Sequence, residues 1–203
     1  MNKISVIVFD LGNVLLPFDY SKPIKYFNNL RPGLGDKFAK LYKENYELHR
    51  QYERGDISTE QFLDAVTTWL DHKVTGEDFC KIFSDIFTRN RNVIDLLPKL
   101  KKNYLLCLLS NTNEIHEKYG YNNDEFLKIF DKLFLSHKVG AVKPEEKIYR
   151  TVEAYFQKPS SEHLFIDDIA EYGQGAINCG WDAIQYTGYD NLILELTKRG
   201  VKY

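Results

Sequence analysis

Short apolar runs, most of them ending at a polar group and separated by helical stretches, leave this chain few folds to adopt. Residues 4–9, Ile-Ser-Val-Ile-Val-Phe, are rich in β-branched side chains and do not alternate, the pattern of a central strand covered on both faces. Comparable runs follow at 104–109, 133–136, 163–166 and 182–186. Strand, helix, strand in alternation predicts a parallel sheet with right-handed crossovers. Between about residues 20 and 89 the periodicity is helical instead, with Phe38, Leu41 and Tyr42, then Phe62, Ala65, Val66 and Trp69, recurring at spacings of three and four. Gly55 is placed to end one helix there, and Ser58 with Gln61 has the capping-box spacing that starts the next. The expected architecture is α/β. A doubly wound, Rossmann-like parallel sheet is built from residues 1–17 and 90–203, and a helical cap, residues 18–89, is inserted after the first strand.

Composition narrows the function classes. With 43% hydrophobic residues the 203-residue chain can bury a substantial core, which excludes a disordered tail. Its 27 Lys+Arg against 29 Asp+Glu leave a net charge of −2, so no non-specific grip on nucleic acid or an anionic membrane is expected. Cys80, Cys107 and Cys179 are odd in number and far apart, and read as reduced core thiols of a cytoplasmic protein. No stretch approaches the roughly 20 apolar residues of a membrane span, and Asp10 cuts the first run too short for a signal peptide or anchor. Oligomeric state is left open.

Ligands of open α/β sheets bind at the carboxyl ends of the strands, so the residues following each run matter most. They are Asp10-Leu11-Gly12-Asn13, Ser110-Asn111-Thr112-Asn113, Lys143-Pro144 and Asp167-Asp168. Singly, most have plain structural roles: Asp10 as a turn cap, residues 111–114 as a capping box, and Lys143 as an exposed residue ahead of a helix with Pro144 at its first position. Asp167-Asp168 is harder to explain, because adjacent carboxylates beside a core repel each other unless a cation is near. Jointly, these groups can hold Mg²⁺ and a phosphoryl group, since Mg²⁺ takes one or two carboxylates plus water and phosphate oxygens.

In order and spacing, Phe-Asp-Leu-Gly-Asn-Val-Leu, Leu-Ser-Asn-Thr-Asn, Val-Lys-Pro-Glu-Glu-Lys-Ile-Tyr and Phe-Ile-Asp-Asp resemble the four motifs of the haloacid dehalogenase-like hydrolase superfamily. The helical segment, including residues 52–58 (Tyr-Glu-Arg-Gly-Asp-Ile-Ser), is similar to that superfamily's helical cap. Bacterial α-D-glucose-1-phosphate phosphatases also read Asp-Leu-Gly-Asn-Val. The resemblance implies a Mg²⁺-dependent phosphatase of a small soluble phosphorylated metabolite, a sugar phosphate. It implies Asp10 as the nucleophile that forms an aspartyl-phosphate; Asp10, Asp168 and the Gly12 carbonyl as metal ligands; Ser110, Asn111 and Lys143 as phosphoryl-binding groups; and Asp167 as the residue that orients Lys143.

One position departs from the family pattern. Most phosphatases of the superfamily carry a second Asp two residues after the nucleophile, as general acid and base, and here that residue is Gly12. Either the leaving group needs little protonation, or another group substitutes, with Asp19 and His116 as candidates. Asp19 also suits a helix-start cap, and His116 also suits an exposed position. Other chemistries of the superfamily, phosphonate hydrolysis or dehalogenation, and a non-catalytic phosphate-binding module are the alternatives. A receiver domain is disfavoured, because its acid pair comes first in the chain.

Overall fold

The computed structural model describes residues 3–203. Its centre is one sheet of five parallel strands, β1 (Val6–Phe9), β2 (Leu105–Ser110), β3 (Lys132–Leu135), β4 (His163–Asp167) and β5 (Asp182–Gln185), in the order β3-β2-β1-β4-β5. The expected α/β, doubly wound sheet is therefore what the chain forms. Strand β1 lies in the middle, pairing Val8 with Cys107 on one side and with Phe165 on the other. All four of its residues are fully buried, which explains why its sequence does not alternate.

The pleat sends alternate residues into two separate cores. Ile7, Phe9, Leu106, Leu108, Leu164 and Ile166 face one, and Val6, Val8, Cys107, Leu109 and Phe165 face the other. The first is covered by α6 (Arg91–Ile94), α7 (Leu97–Leu100) and α11 (Tyr189–Lys198). The second is covered by α9 (Glu146–Phe156) and α10 (Ala170–Asn178). Helices on both faces make the reversal of strand order beside β1 a crevice at the carboxyl edge. The three cysteines are free and buried. Among the described residues, no helix is long and apolar enough to cross a membrane.

The first five of the seven helices between β1 and β2 are α1 (Ser21–Leu30), α2 (Leu34–Glu44), α3 (Tyr46–Arg54), α4 (Thr59–Trp69) and α5 (Gly76–Ser84). They surround an apolar cluster of their own, rich in rings, in which Tyr52 stacks on Phe62 at 4.4 Å and Phe79 on Phe83 at 5.0 Å. Gly55, in the left-handed conformation, ends α3, and Ser58 with Gln61 forms both halves of the capping box that opens α4. Strand β3 stops one residue short of the expected end, because Ser136 starts α8 (Ser136–Val139), where its hydroxyl donates to the carbonyls of Glu53 and Thr112.

Candidate active site

Asp10 follows the last residue of β1 and is 6% exposed. Lys143 reaches it from the loop between α8 and α9, its Nζ donating to Asp10 Oδ1 at 2.7 Å and to Asp167 Oδ2 at 2.6 Å. Lys143 is 1% exposed, not the exposed lysine that its place ahead of Pro144 suggested, and α9 begins at Glu146. A buried ammonium is tolerable only when paired and hydrogen-bonded. The two carboxylates hold it above its ordinary pKa although burial works the other way. The main chain of Lys143 is fixed too. Its N–H donates to Asn111 Oδ1 at 2.7 Å, and its carbonyl accepts from Asn111 Nδ2 at 3.1 Å.

Asp167 ends β4 and accepts the N–H of Ile169 at 2.8 Å. Asp168, half-buried, accepts from Asn13 Nδ2 at 2.9 Å. Asp10, Asp167 and Asp168 each place a carboxylate oxygen within 4.8 Å of the others. Three carboxylates around the single ammonium leave a surplus of negative charge. Burial, opposed by Lys143 and reinforced by Asp167 and Asp168, accordingly pushes the Asp10 carboxyl up to about 7. Burial also raises Asp168. A divalent cation would remove that surplus, and a donor set of hard carboxylate oxygens suits Mg²⁺. Two of these oxygens, Asp10 Oδ1 and Asp168 Oδ2, already accept from side chains, which leaves one oxygen on each of these residues for a metal.

Asp10, Asp168 and Lys143 line a cavity of about 430 Å³ whose walls also include Ser110, Gly12 and, from the helices between β1 and β2, Tyr42, His49 and Glu53. The backbone brings Ser110 to this cavity as the last residue of β2, 2% exposed. Asp19 is not on these walls. Its carboxylate accepts the N–H of Ser21 at 2.8 Å, a helix-start cap. His116 is on them, but it is 5% exposed rather than solvent-facing, stacks on Phe83 at 4.6 Å, and is pushed by burial down to about 3. A ring so firmly neutral is a poor proton donor. Asn113, not Thr112 or Asn111, provides the cap in that stretch, accepting the N–H of His116 at 3.0 Å.

No family model matches the chain. It is 28% identical to the D-ribitol-5-phosphate phosphatase of Bacteroides thetaiotaomicron over 170 residues, 80% of this chain and 82% of that protein. A predicted HAD-like family hydrolase from Porphyromonas gingivalis superposes with a TM-score of 0.80 at 25% identity, with full coverage of both chains. A HAD-family enzyme from B. thetaiotaomicron, in complex with magnesium and inorganic phosphate, does so with a TM-score of 0.73 at 26% identity over 89% of this chain and 93% of that one. The chain belongs to the haloacid dehalogenase-like hydrolase superfamily.

Within a haloacid dehalogenase-like hydrolase, two groups of cavity residues escaped the reading of the sequence. Asn13, at φ 52°, uses an uncommon backbone conformation to direct its amide at Asp168. Its place inside the first motif is the only signal that could have marked it. The other group is His49, Arg50 and Glu53 on α3. Helical periodicity puts them on one face but does not say that this face covers the strand ends, although Glu53 falls within the quoted 52–58 motif.

Proposed function

We propose that this haloacid dehalogenase-like hydrolase is a Mg²⁺-dependent phosphatase that cleaves a small phosphomonoester, a sugar phosphate, through a phosphorylated Asp10. The observation that carries this reading is the over-acidic cluster of Asp10, Asp167 and Asp168 on one buried Lys143, at the carboxyl ends of β1 and β4 and under a cover of helices. The D-ribitol-5-phosphate phosphatase relative and the magnesium- and phosphate-bound neighbour support it. Asp10 and Asp168, with the Gly12 carbonyl, would hold the metal. When bound, Mg²⁺ supplies charge neutralisation between the carboxylates and the phosphoryl oxygens.

In this reading a carboxylate oxygen of Asp10 attacks phosphorus, and the bond from phosphorus to the ester oxygen breaks. Lys143 favours the ionised form of Asp10 against the push of burial and balances charge on the equatorial oxygens, which Ser110 and the Asn111 main chain also bind. Asp167 holds Lys143 in place. The departing oxygen takes its proton from water, because Gly12 offers none and His116 stays neutral. Water then attacks the phosphoaspartate, freeing phosphate and restoring Asp10. Helices α1–α5 act as a cap that shields the reaction from bulk water.

The test is phosphate release from a panel of phosphomonoesters with and without Mg²⁺, with Asp10→Asn as the control. Release that requires both Mg²⁺ and Asp10 is expected. Release that persists in Asp10→Asn would remove the covalent mechanism, and none above that control would leave a phosphate-binding module.

A further inference from the structure

Glu53 is a carboxylate with nothing to do in the cleavage of a phosphomonoester, yet it is 8% exposed and lines the same cavity as Asp10 and Lys143. Its place is fixed from several sides. His49 Nε2 lies 3.2 Å from Oε1, Arg50 Nη1 donates to Oε2 at 3.1 Å, and its own carbonyl accepts from the Ser136 hydroxyl at 2.6 Å. His49 is held in turn, with Nδ1 2.7 Å from the Tyr42 hydroxyl. Against the upward push of burial, His49 and Arg50 keep the Glu53 carboxyl below its ordinary value, so it stays an ionised acceptor.

An ionised carboxylate has about four acceptor positions. Here, among the described residues, Arg50 donates to Oε2 and the His49 ring lies beside Oε1, which leaves acceptor positions on the carboxylate unclaimed. A site built this way selects by hydroxyls. A substrate O–H completes the carboxylate with a charge-assisted hydrogen bond. An apolar leaving group would strip the carboxylate of water and return nothing, and a second phosphate or carboxylate would meet like charge.

We infer that Glu53, fixed by His49, is the specificity-determining acceptor for hydroxyl groups on an uncharged, polyhydroxylated leaving group, so that the substrates are monophosphates of polyols or sugars rather than bisphosphates or apolar esters. This inference rests on the phosphatase reading and names the part of the substrate that the cap reads.

The experiment compares kcat/KM of the Mg²⁺-loaded wild type, Glu53→Gln and Glu53→Asp on sorbitol 6-phosphate, fructose 1,6-bisphosphate and p-nitrophenyl phosphate. In Glu53→Gln the ratio of sorbitol 6-phosphate to p-nitrophenyl phosphate should fall at least about 30-fold, because a buried acceptor left unmatched discriminates strongly. The preference over the bisphosphate should shrink as well, and Glu53→Asp should recover part of both. A ratio unchanged within threefold overturns the inference, even where both activities drop together, since that is what a purely structural role would give. A second arm does not depend on turnover. Sorbitol 6-phosphate should bind Asp10→Asn at least about 10-fold more tightly than the Asp10→Asn/Glu53→Gln double variant, with inorganic phosphate unaffected. Wild type silent on every ester defeats the phosphatase reading, whereas equal sorbitol 6-phosphate affinities in this second arm defeat the role of Glu53.

Discussion

A side chain at position 12 would begin its course against a ring, for a Cβ built on Gly12 comes 3.2 Å from Phe18 Cε1 and 3.7 Å from Asp10 Oδ2. Phe18 is 39% exposed and has room to turn aside. Gly12→Asp should therefore fold, and it would restore a carboxyl beside the leaving group. General acid catalysis contributes typically about 10²–10⁴-fold, so turnover of alkyl phosphates should rise at least about 10-fold, with less change for p-nitrophenyl phosphate, whose leaving group needs no proton. Equal change on both esters would mean that the missing acid does not limit the enzyme. Asn13 makes a second case. Asn13→Gly keeps the left-handed backbone but removes the amide on Asp168. The Mg²⁺ concentration giving half-maximal activity should rise about 10-fold or more, as for other supports of metal ligands, and an unchanged value would rule out that positioning role. At this scale Asp10, Ser110, Lys143, Asp167 and Asp168 were legible because each follows a strand run or its loop. Burial of Lys143 was not, since a lysine before Pro-Glu-Glu reads locally as solvated.

Helix α3 is hydrogen-bonded to the loop that carries Lys143. Arg50 donates to the Lys143 carbonyl at 3.1 Å, and Arg54 donates through Nε and Nη2 to Glu145 Oε1 at 3.0 and 2.8 Å. At its end, Gly55 sits at φ 81°, where a Cβ would come 2.6 Å from the His137 carbonyl oxygen. Backbone against backbone cannot yield as Phe18 can. Gly55→Ala should cost about 1–3 kcal/mol from the left-handed strain and the collision together, read as a lower denaturation midpoint. A variant as stable as wild type would show that α3 can withdraw from the core without loss. Gly55 and the Ser58–Gln61 capping box announced this helix boundary in the sequence. The short helices α6–α8 and the π-helical turn His116–Tyr121 did not, because segments that brief carry no periodicity of their own and are shaped by what they pack on.

Over the whole molecule, the alternation of runs disclosed the sheet, while two buried histidines, whose role no local pattern reveals, tie global stability to pH. His163 is fully buried against Trp181, with ring centroids 4.8 Å apart and Nδ1 3.0 Å from the Pro159 carbonyl, and burial lowers its pKa. His116 is lowered to about 3 by the same cause. Unfolding returns both to the ordinary value of about 6.5. Between those limits the unfolded chain binds more protons than the folded one, so stability is full above about pH 6.5 and is lost as pH falls towards the folded values. For His116 the loss approaches about 1.4 kcal/mol per pH unit and reaches about 2 kcal/mol by pH 5. Denaturant unfolding of wild type and His116→Phe at pH 7.5, 6 and 5 checks this. The phenylalanine preserves the stack on Phe83 but cannot take up a proton when the chain unfolds. Its stability should fall less steeply with acidification, narrowing the gap between the two proteins by about 2 kcal/mol at pH 5. Parallel profiles would mean that His116 is protonated in the folded state at no cost, contrary to its sealed position beside the active site.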